Sequence, residues 1–108
     1  MPLISVLITT YNREQFVSEA IESVLQSTFQ DFELIVVDDA SVDKTVSVIR
    51  NYTDKDSRIK LYINEVNVGD YPNRIKAVQY ATGDYIKFVD ADDKIYPWTL
   101  CAFVSAIE

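Results

Sequence analysis

Four short apolar runs punctuate the chain: residues 3–9 (LISVLIT), 32–37 (FELIVV), 58–63 (RIKLYI) and 85–89 (YIKFV). Each is too short for a helix and rich in β-branched or aromatic residues, which predicts strands. The first two are nearly continuous, as in strands buried on both faces of a parallel sheet. The third alternates polar and apolar residues, the sign of a wetter face at a sheet edge. Between the runs the spacing turns helical. Phe16, Val17, Ala20, Ile21, Val24 and Leu25 predict a helix from near Asn12 to before Thr28, and Val42, Val46 and Ile49 predict a second, capped by Asp43 or Ser41. Ile75, Ala77, Val78 and Ala81 predict a third over 73–81, with Gly83 as its C-terminal glycine, and Pro97-Trp98 open a fourth through Glu108. The order β-α-β-α-β-α-β-α with short connections describes one α/β unit. Right-handed crossovers predict a mainly parallel sheet of order 3-2-1-4 with helices on both faces, a three-layer Rossmann-like arrangement.

In such a sheet, ligands bind at the carboxyl ends of the strands where the strand order reverses, here between strands 1 and 4. The polar residues leaving those ends are Thr9, Thr10, Tyr11, Asn12 and Arg13 after strand 1, Asp38 and Asp39 after strand 2, and Asp90-Ala91-Asp92-Asp93 after strand 4. Three carboxylates within four residues, with no basic partner in their own segment, suit a divalent cation bound through oxygen and shared with substrate phosphates. The competing reading is a solvated acidic turn.

Composition narrows the choice. With 10 basic and 17 acidic residues among 108, the formal net charge of −7 argues against nucleic acid or an anionic lipid surface as a general partner. A phosphate-bearing ligand stays compatible if a metal ion lies between the like charges. The chain has no His and one cysteine, Cys101, which excludes an internal disulfide, a Ser/His/Asp triad and a His-containing zinc site, and points to a reducing compartment. Cys101 reads as a small apolar helix residue. No apolar stretch approaches ~20 residues and the start lacks the basic residues of a signal peptide, so a soluble, cytoplasmic chain is expected. The only glycines, Gly69 and Gly83, do not follow strand 1, which excludes a G-x-G-x-x-G dinucleotide turn and a P-loop. A phospho-accepting receiver domain would need its acidic pair after strand 1, where this chain has Thr-Thr-Tyr-Asn.

Five segments taken together, ISVLITTYN (4–12), STFQDFELIVVDDAS (27–41), NVG (67–69), ATGDYI (81–86) and DADD (90–93), resemble the family 2 inverting glycosyltransferases of the GT-A fold. The resemblance covers nearly the whole chain. It implies that this is the N-terminal part of a domain that binds a nucleotide-diphosphate sugar, commonly a UDP-sugar. It also implies contacts of Thr9 and Tyr11 with the uridine, with the Tyr11 ring on the base, and of Asp39 with the base edge. Arg13 and Arg74 would lie near the base or the diphosphate. Asp90-Ala91-Asp92 matches the D-x-D motif, whose last carboxylate holds Mn²⁺ or Mg²⁺ across the diphosphate while another, here Asp90, contacts the ribose. Because Asp93 follows, either Asp92 or Asp93 can be the metal ligand. Asp38 is counted with the nucleotide-sugar set, beside the competing role of orienting its loop. The segment DYPNRIKA (70–77) departs from the commoner Ala-Arg-Asn-x-Gly form, which bears on Arg74.

The same resemblance places the general base and most of the acceptor site in a second half of the domain, so residues 1–108 are expected to carry the donor site alone and to transfer sugar poorly by themselves. The acceptor would be a saccharide or a lipid-linked hydroxyl in polysaccharide or cell-wall synthesis. The full-length protein would be cytoplasmic, with a peripheral place on the inner face of the membrane left open. The free flank of strand 4 would invite self-association. Structural roles compete with several of these: Tyr11 packing on the first helix, and Arg13 and Arg74 as solvated charges. Tyr96 and Trp98 have a place on the acceptor side as one reading, but aromatics near a helix start are more often core, so they are left out of the site, and residues 54–56 are read as a charged loop. A non-catalytic interaction module and a nucleotidyltransferase are the rival classes.

Overall fold

The computed structural model describes residues 2–107. Its elements are β1 (Ile4–Thr10), α1 (Val17–Leu25), β2 (Phe32–Asp38), α2 (Thr45–Thr53), β3 (Ile59–Ile63), α3 (Asp70–Tyr80), β4 (Tyr85–Phe88) and α4 (Thr99–Ile107). The expected end of the last helix at Glu108 lies outside the described residues. The sheet has the order β3-β2-β1-β4, with every neighbouring pair parallel. In register, Ile4 lies beside both Phe32 and Tyr85, and Leu34 beside Ile59.

The central strands are the continuously apolar ones. Ile4, Val6, Ile8, Leu34 and Val36 cluster with Val17, Ala20, Ile21 and Val24 of α1, Ile49 of α2 and Leu100 of α4. On the opposite face Leu7, Ile35 and Val37 meet Ala77 of α3. Handedness explains the split. The chain steps from β1 to β2 to β3 in one direction, which puts α1 and α2 on one face. It then returns across the sheet to β4, which puts α3 on the other.

Several local expectations change, among them the core reading of Tyr96 and Trp98, which are exposed and stack on each other. The first helix begins at Val17 rather than near Asn12. Asn12 has a left-handed φ of 52°, and the N–H groups of Phe16 and Val17 both donate to the Arg13 carbonyl at 2.9 Å, so residues 13–16 make a turn. The third helix begins at Asp70, before residue 73. Gly69, at φ 93°, precedes it, and Pro72 sits in the first turn, where its missing N–H would have no partner within the helix. The side of α3 turned to the sheet carries Asn73 and Ala77, while Ile75 and Val78 are 45% and 41% exposed. Gly83 lacks the positive φ of a helix-ending glycine, and its role is close approach: a Cβ there would lie 2.8 Å from the backbone nitrogen of Ser5. In the second helix, Asp43 rather than Ser41 accepts the N–H of Thr45 at 2.9 Å, and Val42 lies outside the helix, exposed.

Near the amino ends of the strands, the α3 face buries one carboxylate. Glu33 accepts from Ser5 Oγ at 2.5 Å, from the Thr82 N–H at 2.7 Å, from Thr82 Oγ1 at 2.8 Å and from Lys60 Nζ at 3.1 Å. Burial pushes this carboxyl up, but the hydrogen bonds from Ser5, Thr82 and Lys60 outweigh it and bring the pKa down to about 2.

Candidate functional site

A cleft of about 460 Å³ opens at the carboxyl ends of the strands, where β1 and β4 diverge. Thr9, Tyr11, Arg13, Asp39, Arg74, Asp90 and Asp92 all line it. Strands 2, 1 and 4 and helix α3 thus bring seven of the nine residues singled out in the sequence to one hollow. The other two lie elsewhere. Asp38 is fully buried beneath the loops, accepting from Thr10 Oγ1 at 2.7 Å, Ser41 N at 2.8 Å and Ser41 Oγ at 2.6 Å. Asp93 is exposed outside the cleft lining and accepts the backbone N–H of Lys94 at 2.8 Å.

The loops after β1 and β2 hold each other in place. Ser41 Oγ accepts the Asn12 N–H, Asn12 Oδ1 accepts the Val42 N–H, and Thr45 Oγ1 accepts the Arg13 N–H. These bonds account for Asn12 and Ala40, at φ 52° and 61°, keeping left-handed conformations that non-glycine residues seldom adopt. Tyr11 is left 44% exposed at the rim.

Asp39 ties in the loop before α3. Its Oδ1 accepts from Asn64 Nδ2 at 2.9 Å and Val68 N at 2.8 Å, its Oδ2 accepts from Gly69 N at 2.9 Å, and its carbonyl accepts from Asn67 Nδ2. Asn73 completes this buried group by accepting from Asn64 and donating to the Val37 carbonyl. The roles of Asn64 and Asn73 were not foreseen. The available signal was weak: Asn73 lies four residues before Ala77, so it shares the buried helix face.

On the far wall Arg74 joins three elements. Its Nε donates to Asp70 at 3.2 Å, its other guanidinium nitrogen donates to Asp90 at 3.2 Å, and the group lies 5.6 Å from the centre of the Phe88 ring. Desolvation lowers the Arg74 pKa, but Asp70 and Asp90 more than reverse this and raise it.

The lining carries four carboxylates, Asp39, Asp70, Asp90 and Asp92, against two guanidiniums, Arg13 and Arg74. An anionic diphosphate would meet net repulsion here without a cation. Among the described residues no three His, Cys, Asp or Glu side chains gather into a metal cage. Asp90 and Asp92 do bring hard oxygen donors to the cleft. That set fits Mg²⁺ or Mn²⁺, which commonly take one or two carboxylates and complete their shell with phosphate and water.

The family model described as Glycosyl transferase family 2 matches residues 5–108. Over 91 residues the chain is 42% identical to UDP-Glc:alpha-D-GlcNAc-diphosphoundecaprenol beta-1,3-glucosyltransferase WfgD of Escherichia coli, covering 84% of this chain and 35% of that protein. Among solved structures, S. aureus TarS 1–349 in complex with UDP-GlcNAc superposes with a TM-score of 0.89 at 34% identity, covering 96% of this chain and 30% of that one. The mannosyltransferase PcManGT from Pyrobaculum calidifontis, in complex with GDP-Man and Mn²⁺, superposes at 0.88 with 26% identity, covering 95% and 31%. The chain spans about a third of the length of the curated relatives it matches. With its sheet order, its cleft at the strand ends and a family match from residue 5 onward, the chain belongs to glycosyl transferase family 2 and has the GT-A fold.

Proposed function

We propose that residues 1–108 are the nucleotide-diphosphate-sugar-binding part of a metal-dependent inverting glycosyltransferase. One observation carries the reading: a single cleft at the β1/β4 divergence gathers Thr9, Tyr11, Arg13, Asp39, Arg74, Asp90 and Asp92. Tyr11, exposed on the rim, offers its ring to the base. Asp39, already oriented by Val68 and Gly69, has a remaining lone pair on Oδ2 for the base edge. Asp90 serves the ribose and Asp92 holds the cation, with Arg13 and Arg74 facing the anionic end of the ligand. When bound, Mn²⁺ or Mg²⁺ would stabilise the negative charge that develops on the departing diphosphate.

Uracil is the favoured base because TarS is seen with UDP-GlcNAc and WfgD is named for UDP-Glc, although PcManGT carries GDP-Man. The acceptor is a saccharide or a lipid-linked saccharide, in line with the diphosphoundecaprenol of the WfgD name. The general base that takes the acceptor proton is assigned to the rest of the domain. A cytoplasmic protein working at the inner face of the membrane follows from a lipid-linked acceptor; no helix among the described residues is long and apolar enough to cross a bilayer. Self-association through the outer edge of β4, which pairs with β1 alone among the described residues, belongs to the same proposal and is checked by sedimentation.

The test is thermal unfolding with UDP, GDP and dTDP, each with and without Mn²⁺. Ligand at a hundredfold excess over its dissociation constant stabilises by ~2.7 kcal/mol. A shift with UDP and Mn²⁺ together that is lost in Asp92→Ala and kept in Asp93→Ala supports the reading and names the metal ligand. No shift with any nucleotide overturns it in favour of an interaction module.

A further inference from the structure

Arg74 does more in this cleft than face a ligand. One guanidinium spans Asp70 and Asp90, both at 3.2 Å, so a positive charge is already engaged with the first carboxylate of the D-x-D segment. Any cation approaching Asp90 and Asp92 meets that guanidinium. Arg74 is 37% exposed and Asp90 60% exposed at the side chain, and Asp70 is more exposed still. Exposed ion pairs of this kind contribute ~0–1 kcal/mol, so the bridge to Asp90 is weak enough to yield to a stronger anion. A diphosphate is such an anion, because a planar guanidinium prefers the bidentate geometry that phosphate oxygens provide. The opposite wall offers no equivalent restraint: the Arg13 guanidinium donates to the carbonyls of Tyr11 and Asn12 and to no carboxylate among the described residues.

We propose that Arg74 weakens cation binding at the Asp90–Asp92 segment until a nucleotide diphosphate is bound. The inference rests on the donor-site reading and adds a regulatory role to one of its residues. With no diphosphate present, Arg74 sits against Asp90, two residues from Asp92, and its charge repels a cation approaching Asp92. With a diphosphate present, Arg74 turns to the phosphates, Asp90 is released, and the cation binds without that repulsion. Reciprocity requires that the cation strengthen nucleotide binding by the same factor, so part of the measured coupling between the two ligands belongs to this side chain.

The experiment is Mn²⁺ binding followed by electron paramagnetic resonance of the free ion, with and without saturating UDP, on the wild-type chain, Arg74→Gln and Arg74→Lys. Thermal unfolding first confirms that each variant is folded, as expected for a half-exposed side chain. Arg74→Gln is expected to bind Mn²⁺ roughly two- to five-fold more tightly than wild type without UDP, the range that an exposed ion pair allows, and no more tightly with UDP. Arg74→Lys, which keeps the charge, is expected to keep most of the UDP dependence. An equal gain with and without UDP would reduce Arg74 to a background charge and overturn the proposal, as would no gain in Arg74→Gln or a lysine variant as permissive as the glutamine one. If wild type binds no Mn²⁺ even with UDP, the donor-site reading itself falls, an outcome distinct from the other three.

Discussion

Glu33, near the amino ends of the strands, and the Asp90–Asp93 segment after β4 are treated in opposite ways. At the amino end, Glu33 is 3% exposed and its two oxygens receive four hydrogen bonds, from Ser5, Thr82 twice and Lys60. At the carboxyl end, Asp92 and Asp93 stand exposed, and Asp90 has one exposed guanidinium as its partner. The first set is closed, with both Glu33 oxygens satisfied inside the protein, so it holds β1, β2, β3 and the turn into β4 together. The second is open, and its oxygens keep the capacity to bind something brought from solution. Charge alone does not mark a site; unfilled bonding capacity in a cleft does.

Glu33→Ala breaks this contrast most strongly. It leaves the Ser5 hydroxyl and the Thr82 N–H without their acceptor, and should cost about 3 kcal/mol in chemical denaturation. Acid should act on the same group. Its folded pKa of about 2 lies below the ordinary 4.5, so the stabilisation is fully present above pH 4.5 and is lost as the pH falls towards and through 2. The loss reaches about 3 kcal/mol, and a Glu33→Gln variant should show a flatter stability curve between those pH values. Gly83→Ala tests the closed end through its backbone. The new Cβ would press on Ser5 N at 2.8 Å, and a cost of roughly 1–3 kcal/mol in denaturant midpoint is expected. The smallest effect on stability belongs to the open end: Asp92→Ala should change the unfolding free energy by less than about 0.5 kcal/mol while abolishing stabilisation by UDP with Mn²⁺. A large intrinsic loss of stability in Asp92→Ala would erase the distinction between the two ends.

Neighbouring residues within the site repeat the lesson. Asp38 and Asp39 are adjacent and look equivalent as letters. Asp38, the last residue of β2, pairs in register with Thr10 and is enclosed by Thr10 and Ser41. Asp39 turns to the cleft and gathers Asn64, Val68 and Gly69. Asp92 and Asp93 part in the same way, one in the cleft lining and one outside it. In both pairs a single step along the backbone decides which carboxylate can meet a ligand.

The sequence by itself determined the four strands, the four helices, the sheet order and the rim on which polar residues collect. These follow from local periodicity and a handedness rule that needs no side-chain detail. The tertiary structure decided the start of α1, because residues 12 and 13 are held by Ser41 and Thr45, 29 and 32 positions away. It also decided that Asn73, rather than Ile75 or Val78, faces the sheet, because the Val37 carbonyl and Asn64 offer it partners there. Gly83 gained its purpose only when β1 came so close that a Cβ at this position would lie 2.8 Å from Ser5 N. Periodicity reports which residues avoid water, whereas the pairing of polar groups depends on which distant segments meet, and only the folded chain brings them together.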